Sequence, residues 1–158
     1  MSEEKTNVMR ILDQKKTAYT PHWNTCPDGA VDGASVAARI GKDPAAVCKT
    51  LVTQGASKKN YVFVIPVLRE LDLKAAARAV GEKSIEMIRQ AQLLPLTGYV
   101  HGGCSPVGMK KQFTTVFDQS VEGLDTVTVS AGKIGAQVEL APGDLCALVR
   151  GAFAPVTK

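Results

Sequence analysis

The chain lacks the signatures by which most enzymes declare themselves: there is no G-x-S-x-G elbow, no P-loop, no G-x-G-x-x-G and no H-E-x-x-H. Serine-elbow hydrolysis, triphosphate and dinucleotide binding and zinc proteolysis are therefore not indicated. The four cysteines, Cys26, Cys48, Cys104 and Cys146, are widely spaced with no C-x-x-C pair, and only His22 and His101 could complete a metal shell. No metal or cofactor is expected, and the thiols read as reduced. No apolar run approaches the ~18 residues of a membrane span, and the opening Met-Ser-Glu-Glu-Lys-Thr-Asn lacks the apolar centre of a signal peptide. A cytoplasmic protein without membrane contact is the expectation. Internal repeats, linkers and low-complexity tracts are also missing.

What is present suits one globular domain. A chain of 158 residues with 45% apolar and 22% charged residues is long enough to bury a single core. Net charge is +4, with Lys15-Lys16, Lys58-Lys59 and Lys110-Lys111 scattered rather than gathered. That suits brief contact with a phosphate backbone and equally suits a protein that touches no nucleic acid.

Periodicity places a helix over 6–16, with Thr6 as N-cap and Val8, Met9, Ile11 and Leu12 on one face. Pro21, Pro27, Asp28 and Gly29 make 20–33 an irregular arm that carries Trp23, the only tryptophan. A short helix over 34–40 ends at Gly41, and Asp43-Pro44 restarts the chain. Residues 48–53 and 61–65 read as a hairpin, its second strand buried on both faces and stopped by Pro66. Asp72 caps a helix ending at Gly81, and Ser84 begins another that Pro95 must stop. Strands follow over 113–118, 126–130 and 137–140, and a last helix runs from Pro142 to Gly151. Residues 154–158 read as a loose tail. The pattern predicts an α+β domain over 1–158, with a curved, mixed, mainly antiparallel and barrel-like sheet surrounded by helices.

Three features carry possible chemistry. Between Thr97 and Lys111 stand Gly98, Gly102, Gly103 and Gly108, a loop able to turn exposed amides toward an anion, with Lys110 and Lys111 at its far end. Lys49 sits in a strand bound for the core, where an ammonium needs an anionic partner or ligand unless it faces water at an edge. Ser130-Ala131-Gly132-Lys133-Ile134-Gly135 is a second glycine-rich turn. Each also has a plain structural reading, as a connection or a hairpin turn. Cys104 and His101 lie three apart, a spacing that permits a thiolate and its base on one turn, though free cysteines are more often passive packing.

The order and combination of these words is more specific than any one. Cys48-Lys49-Thr50-Leu51-Val52, Leu71-Asp72-Leu73-Lys74-Ala75-Ala76, Thr97-Gly98-Tyr99, Gly102-Gly103-Cys104-Ser105-Pro106-Val107-Gly108-Met109-Lys110-Lys111 and Val129-Ser130-Ala131-Gly132-Lys133 resemble the bacterial YbaK/EbsC family, over about 8–149. Its members are freestanding relatives of the editing domain inserted in prolyl-tRNA synthetase. The resemblance implies hydrolysis of the ester joining a wrong amino acid to tRNA, foremost cysteine on tRNA(Pro), with cysteine on tRNA(Cys) a further candidate.

By that resemblance Lys49 is the catalytic residue, and Gly102 and Gly103 hold the aminoacyl carbonyl through their amides. Ser130 is the pocket serine, with Trp23, Asp32, Gly33, Thr50, Ser105 and Gly132 also about the substrate. Lys110, Lys111 and Lys133 would meet tRNA phosphates, and prolyl-tRNA synthetase is a possible partner. The substrate's own thiol would attack the carbonyl and leave as a thiolactone, which suits a chain with no evident nucleophile. Three departures bear on the amino acid: Trp23 stands where relatives often carry a pocket tyrosine, Asp32 where an aromatic residue is common, and Gln137 where an aspartate is frequent. Alanine, serine and proline esters therefore stay open beside cysteine, as does a binding module that cleaves nothing.

Overall fold

The computed structural model describes residues 4–24 and 32–158. Its organising element is β3 (Asn60–Pro66), whose alternating side chains feed two cores. Val62 and Val64 enter the larger one, while Tyr61, Phe63 and Ile65 enter the smaller, so the strand is buried on both faces as its unbroken apolar run predicts. β3 pairs antiparallel with β2 (Cys48–Gly55), Lys49 opposite Ile65 and Thr50 opposite Val64.

Around that hairpin a five-stranded sheet assembles. β4 (Ile85–Met87) pairs with Thr53–Gly55 of β2, and on the other side β5 (Thr114–Asp118) and β8 (Ala152–Ala154) add in parallel. A second, antiparallel sheet holds β1 (Thr20–Trp23), β7 (Ala136–Leu140) and β6 (Val127–Lys133), in that order. Among the described residues a parallel bridge, Val47 with Thr128, links the two. The expected α+β class and mixed, mainly antiparallel sheet are found; the curved surface is two sheets sharing a core rather than a closed barrel.

The helices follow their punctuation. Thr6 caps α1 (Asn7–Gln14), which buries Val8, Met9 and Leu12. α2 (Gly33–Ile40) starts at Asp32, whose carboxylate accepts from the Ser35 amide and hydroxyl, and stops at left-handed Gly41. Asp72 and Gly81 bracket α3 (Leu73–Val80) in the same way. The closing helix, α5 (Pro142–Leu148), opens on its proline.

Four local readings change. The arm after Thr20 is strand β1 as far as Trp23, pinned by backbone pairing to β7; the rest of it, 25–31 with Cys26, Pro27, Asp28 and Gly29, lies outside the described residues. The stretch from Ser84 is not helical: Ile85–Met87 zips onto β2, and α4 (Gln90–Thr97) starts only after Arg89. Pro95 does not stop α4 but sits inside it, exposed near its end, where a missing N–H forfeits one bond; Gly98, at φ 88°, does the stopping. Finally the tail is anchored. β8 pairs with β5, Val156 is fully buried, and the buried Asp118 carboxylate accepts from the Val156 amide and the Thr157 hydroxyl at 3.1 and 3.2 Å.

Candidate active site

The pairing of β2 leaves part of one edge open. Ile88 N–H donates to Val52 C=O, and alternation turns the peptide groups of Thr50 toward that same edge beyond the end of β4. Against this free edge lies a cleft of about 360 Å³. Its walls come from β2 (Cys48 to Leu51), the start of α2 (Asp32 to Ala34), β6 (Thr128 to Ser130), Gln137 of β7 and the glycine loop (His101, Gly102, Cys104). Val36, Val47, Val67 and Leu93 give it an apolar lining.

Polar capacity inside the cleft is unspent. Lys49 is half-buried, and among the described residues no carboxylate lies within ion-pair distance of it. The buried Thr50 hydroxyl oxygen has no hydrogen-bond partner among the described residues. Ser130 Oγ accepts from the Gly132 amide at 3.1 Å, which leaves its own proton to donate. Ser130 is the last residue in register before a bulge that ends at Lys133. The amides of Gly102 and Cys104 likewise find no acceptor among the described residues.

The glycine loop that supplies these amides is rigid by construction. Thr97 Oγ1 donates to Leu93 C=O and accepts from the Tyr99 amide; the Tyr99 hydroxyl donates to Val107 C=O at 2.5 Å; Lys110 N–H closes the loop onto Thr97 C=O at 3.0 Å. Gly102 takes φ 88°, a conformation side chains resist. A cation, two free amides and two hydroxyls around a lined hollow make a place for an acyl group whose carbonyl oxygen gains negative charge. The sequence profile of the aminoacyl-tRNA editing domain matches residues 29–148. The chain belongs to that family.

A protein of Enterococcus faecalis (strain ATCC 700802 / V583) named "Putative Cys-tRNA(Pro)/Cys-tRNA(Cys) deacylase EbsC" is 42% identical over 156 residues, 99% of this editing domain and 95% of that protein. Among solved structures, one described as a hypothetical protein superposes at TM-score 0.88 with 22% identity, over 97% of this chain and 100% of its own. Another, described as "a putative trans-editing enzyme for prolyl tRNA synthetase", superposes at 0.81 with 22% identity, over 98% and 99% of the two chains. These two likenesses establish the fold.

Of the residues singled out in the sequence, the editing domain brings Lys49, Thr50, Asp32, Gly33, Gly102 and Ser130 to the cleft wall. Gly33 is there by packing, since a Cβ on it would stand 2.2 Å from Val67 Cγ1. Gly103 is buried behind the wall, a Cβ on it falling 3.2 Å from the Ile134 nitrogen, and its amide already donates to Val100 C=O. The loop amides left free among the described residues are thus those of Gly102 and Cys104, not those of the glycine pair.

Ser105 is fully buried, its Oγ accepting from the Val107 amide, and Gly132 packs on Tyr99, acting on the cleft only through Ser130. Trp23 lies off the cleft, half-buried against the core. Lys110, Lys111 and Lys133 are exposed, Lys110 beside a second hollow formed with Thr6, Asn7 and Tyr99. Sequence reasoning missed the apolar walls Val36, Val47, Val67 and Leu93, which carry no chemical label.

The thiol-and-base reading of Cys104 and His101 loses its basis. No hydrogen bond joins them, His101 is exposed, and burial pushes the Cys104 thiol up to about 12, which the Thr97 hydroxyl offsets only in part. No cluster of three or more metal-ligating side chains occurs among the described residues.

Proposed function

We propose that this editing domain removes wrongly attached amino acids from tRNA in trans, with Cys-tRNA(Pro) its foremost substrate and Cys-tRNA(Cys) the next. The convergence of Lys49, two free amides and the Ser130 hydroxyl on one cleft carries this reading, and the name of the 42%-identical relative gives the substrate. An aminoacyl ester is already activated, so each well-aimed donor contributes about 3 kcal/mol toward cleavage without a catalytic triad.

The chemistry is that of the substrate's side chain. The cysteinyl sulfur bonds to the carbonyl carbon as the carbon–oxygen ester bond breaks, and the thiol proton passes to the departing ribose oxygen. The amino acid leaves as a thiolactone that water opens. Lys49 stabilises charge on the carbonyl or departing oxygen, and the Gly102 and Cys104 amides hold the carbonyl. Lys110, Lys111 and Lys133 meet phosphates of the acceptor end, and prolyl-tRNA synthetase is the partner that would deliver it.

Lys49→Ala tests the reading. The variant should melt within about two degrees of the parent yet lose at least about a hundredfold in kcat/KM on Cys-tRNA(Pro). Full activity in the variant removes Lys49 from the mechanism, and wild-type protein that binds the charged tRNA without releasing cysteine makes the domain a binding module instead.

A further inference from the structure

Gln137 is buried, with 5% of its surface exposed, and lines the cleft directly across the ladder from Ser130. Its amide orientation is dictated from outside. Arg39, whose guanidinium has only donors, gives its Nε proton to Asn24 Oδ1 at 3.1 Å. That fixes the Asn24 amide with Nδ2 on the far side, where it donates to Gln137 Oε1 at 2.6 Å. A polarity set by Arg39 is thereby passed along two side chains. The Gln137 Nε2 group has no acceptor among the described residues, and it is not sealed off, since Thr50 Oγ1 is the one orphaned buried side-chain atom among them. The open space beside Gln137 is the cleft.

We infer that Gln137 is a specificity-determining residue whose Nε2, aimed by the Arg39–Asn24 relay and joined by the Ser130 hydroxyl proton, selects acyl groups with a hydrogen-bond acceptor on the side chain. The inference rests on the deacylase reading for its substrate class. A seryl or cysteinyl side chain satisfies the amide, whereas an alanyl side chain displaces water and leaves the donor unpaired. Asn24 is a positioning residue. Binding and cleavage then choose differently: the donor admits any small acceptor-bearing side chain, and nucleophilicity of the thiol decides which ester is broken.

The test measures Kd by calorimetry for 3′-amino-3′-deoxyadenosine analogues carrying seryl, cysteinyl or alanyl groups through a stable amide. Wild-type protein should bind the seryl and cysteinyl analogues about tenfold or more tighter than the alanyl one. Gln137→Leu should shrink that preference to within about twofold, the alanyl Kd tightening because no donor is then left unpaired.

Asn24→Asp provides the sharper check. The carboxylate introduced there still accepts from Arg39 but now demands a donor from Gln137, so that amide turns over and shows the cleft its oxygen. In that variant a seryl hydroxyl can still donate to the amide oxygen, so the loss is read with an acceptor-only O-methylseryl analogue, whose preference over the isosteric norvalyl one should vanish with Gln137 in place. Equal weakening of all three analogues means contact with the shared adenosine and overturns the inference, as does a seryl preference that survives Gln137→Leu or an O-methylseryl preference that survives Asn24→Asp. Deacylation of Cys-tRNA(Pro) by the same samples separates the two levels. Activity with no side-chain preference sinks this inference alone; the preference without deacylation sinks the deacylase reading and keeps the selective donor.

Discussion

At the scale of single residues, burial decides which of two candidate groups does chemistry. Cys104 and Lys49 both line the cleft, but the thiol is held protonated by its low-dielectric surroundings, with an ordinary value near 9 pushed up to about 12. The proton must be removed before sulfur attacks, and no base touches it. Cys104→Ala should therefore keep deacylation within about threefold of the parent, since what Cys104 offers the cleft is its backbone amide. Iodoacetamide at pH 7 should not inactivate the parent; rapid loss, absent in the variant, would reinstate the thiol mechanism. Lys49 was legible in the sequence as an ammonium out of place in a core strand. Gln137 was legible only as a departure from the family pattern, because the direction of its amide depends on Asn24 and Arg39, far away in the chain.

At the scale of elements, most helices could be read and the shortest edge strands could not. Thr6, Asp32 and Asp72 announce their helices by a local hydrogen bond to the next turn, and Gly41 and Gly81 end two of them by an αL residue, so neighbours in sequence suffice. β1, β4 and β8 are three or four residues long, too short for alternation to show, and exist because a partner edge is waiting. β8 has a further anchor in Asp118. Burial by itself would raise the Asp118 carboxyl, but hydrogen bonds from Ser120, Val156 and Thr157 prevail and hold it below its usual range. Asp118→Ala should release the last residues and lower stability by about 2–3 kcal/mol. Amide exchange at Val156 and Lys158 should rise far more than in β3; protection at those amides equal to the parent would show that strand pairing alone suffices.

At the scale of the whole molecule, the joints between distant segments matter. Glu139 on β7 accepts from Thr126 at 2.5 Å before β6, from His22 of β1 at 2.8 Å and from Lys42 after α2 at 3.1 Å. The Thr126 hydroxyl foremost, then His22 and Lys42, outweigh the effect of burial and bring its carboxyl from an ordinary 4.5 down to about 2. A carboxyl lowered on folding binds protons more tightly when unfolded. Its contribution is therefore complete above pH 4.5 and is lost as pH falls toward about 2. Discounted for solvent screening, that contribution is of order 1–2 kcal/mol. Chemical denaturation should show Glu139→Gln less stable than the parent at pH 7, with the gap closing between pH 4.5 and about 2; a gap independent of pH would mean packing rather than charge.

The sequence by itself determined the α+β class, the buried hairpin of β2 and β3, most of the helix starts and stops, and the family to which the chain belongs. All of these rest on residues close along the chain or on words that keep their order. Only the tertiary structure decided that Lys49, the Gly102 amide and Ser130 share one cleft, that the Gly103 amide is already taken, and that the last residues are clamped. The physical reason is one of range. A cap or a strand period is fixed by neighbours within a few residues, whereas a cleft is the space left over when two sheets close on a common core.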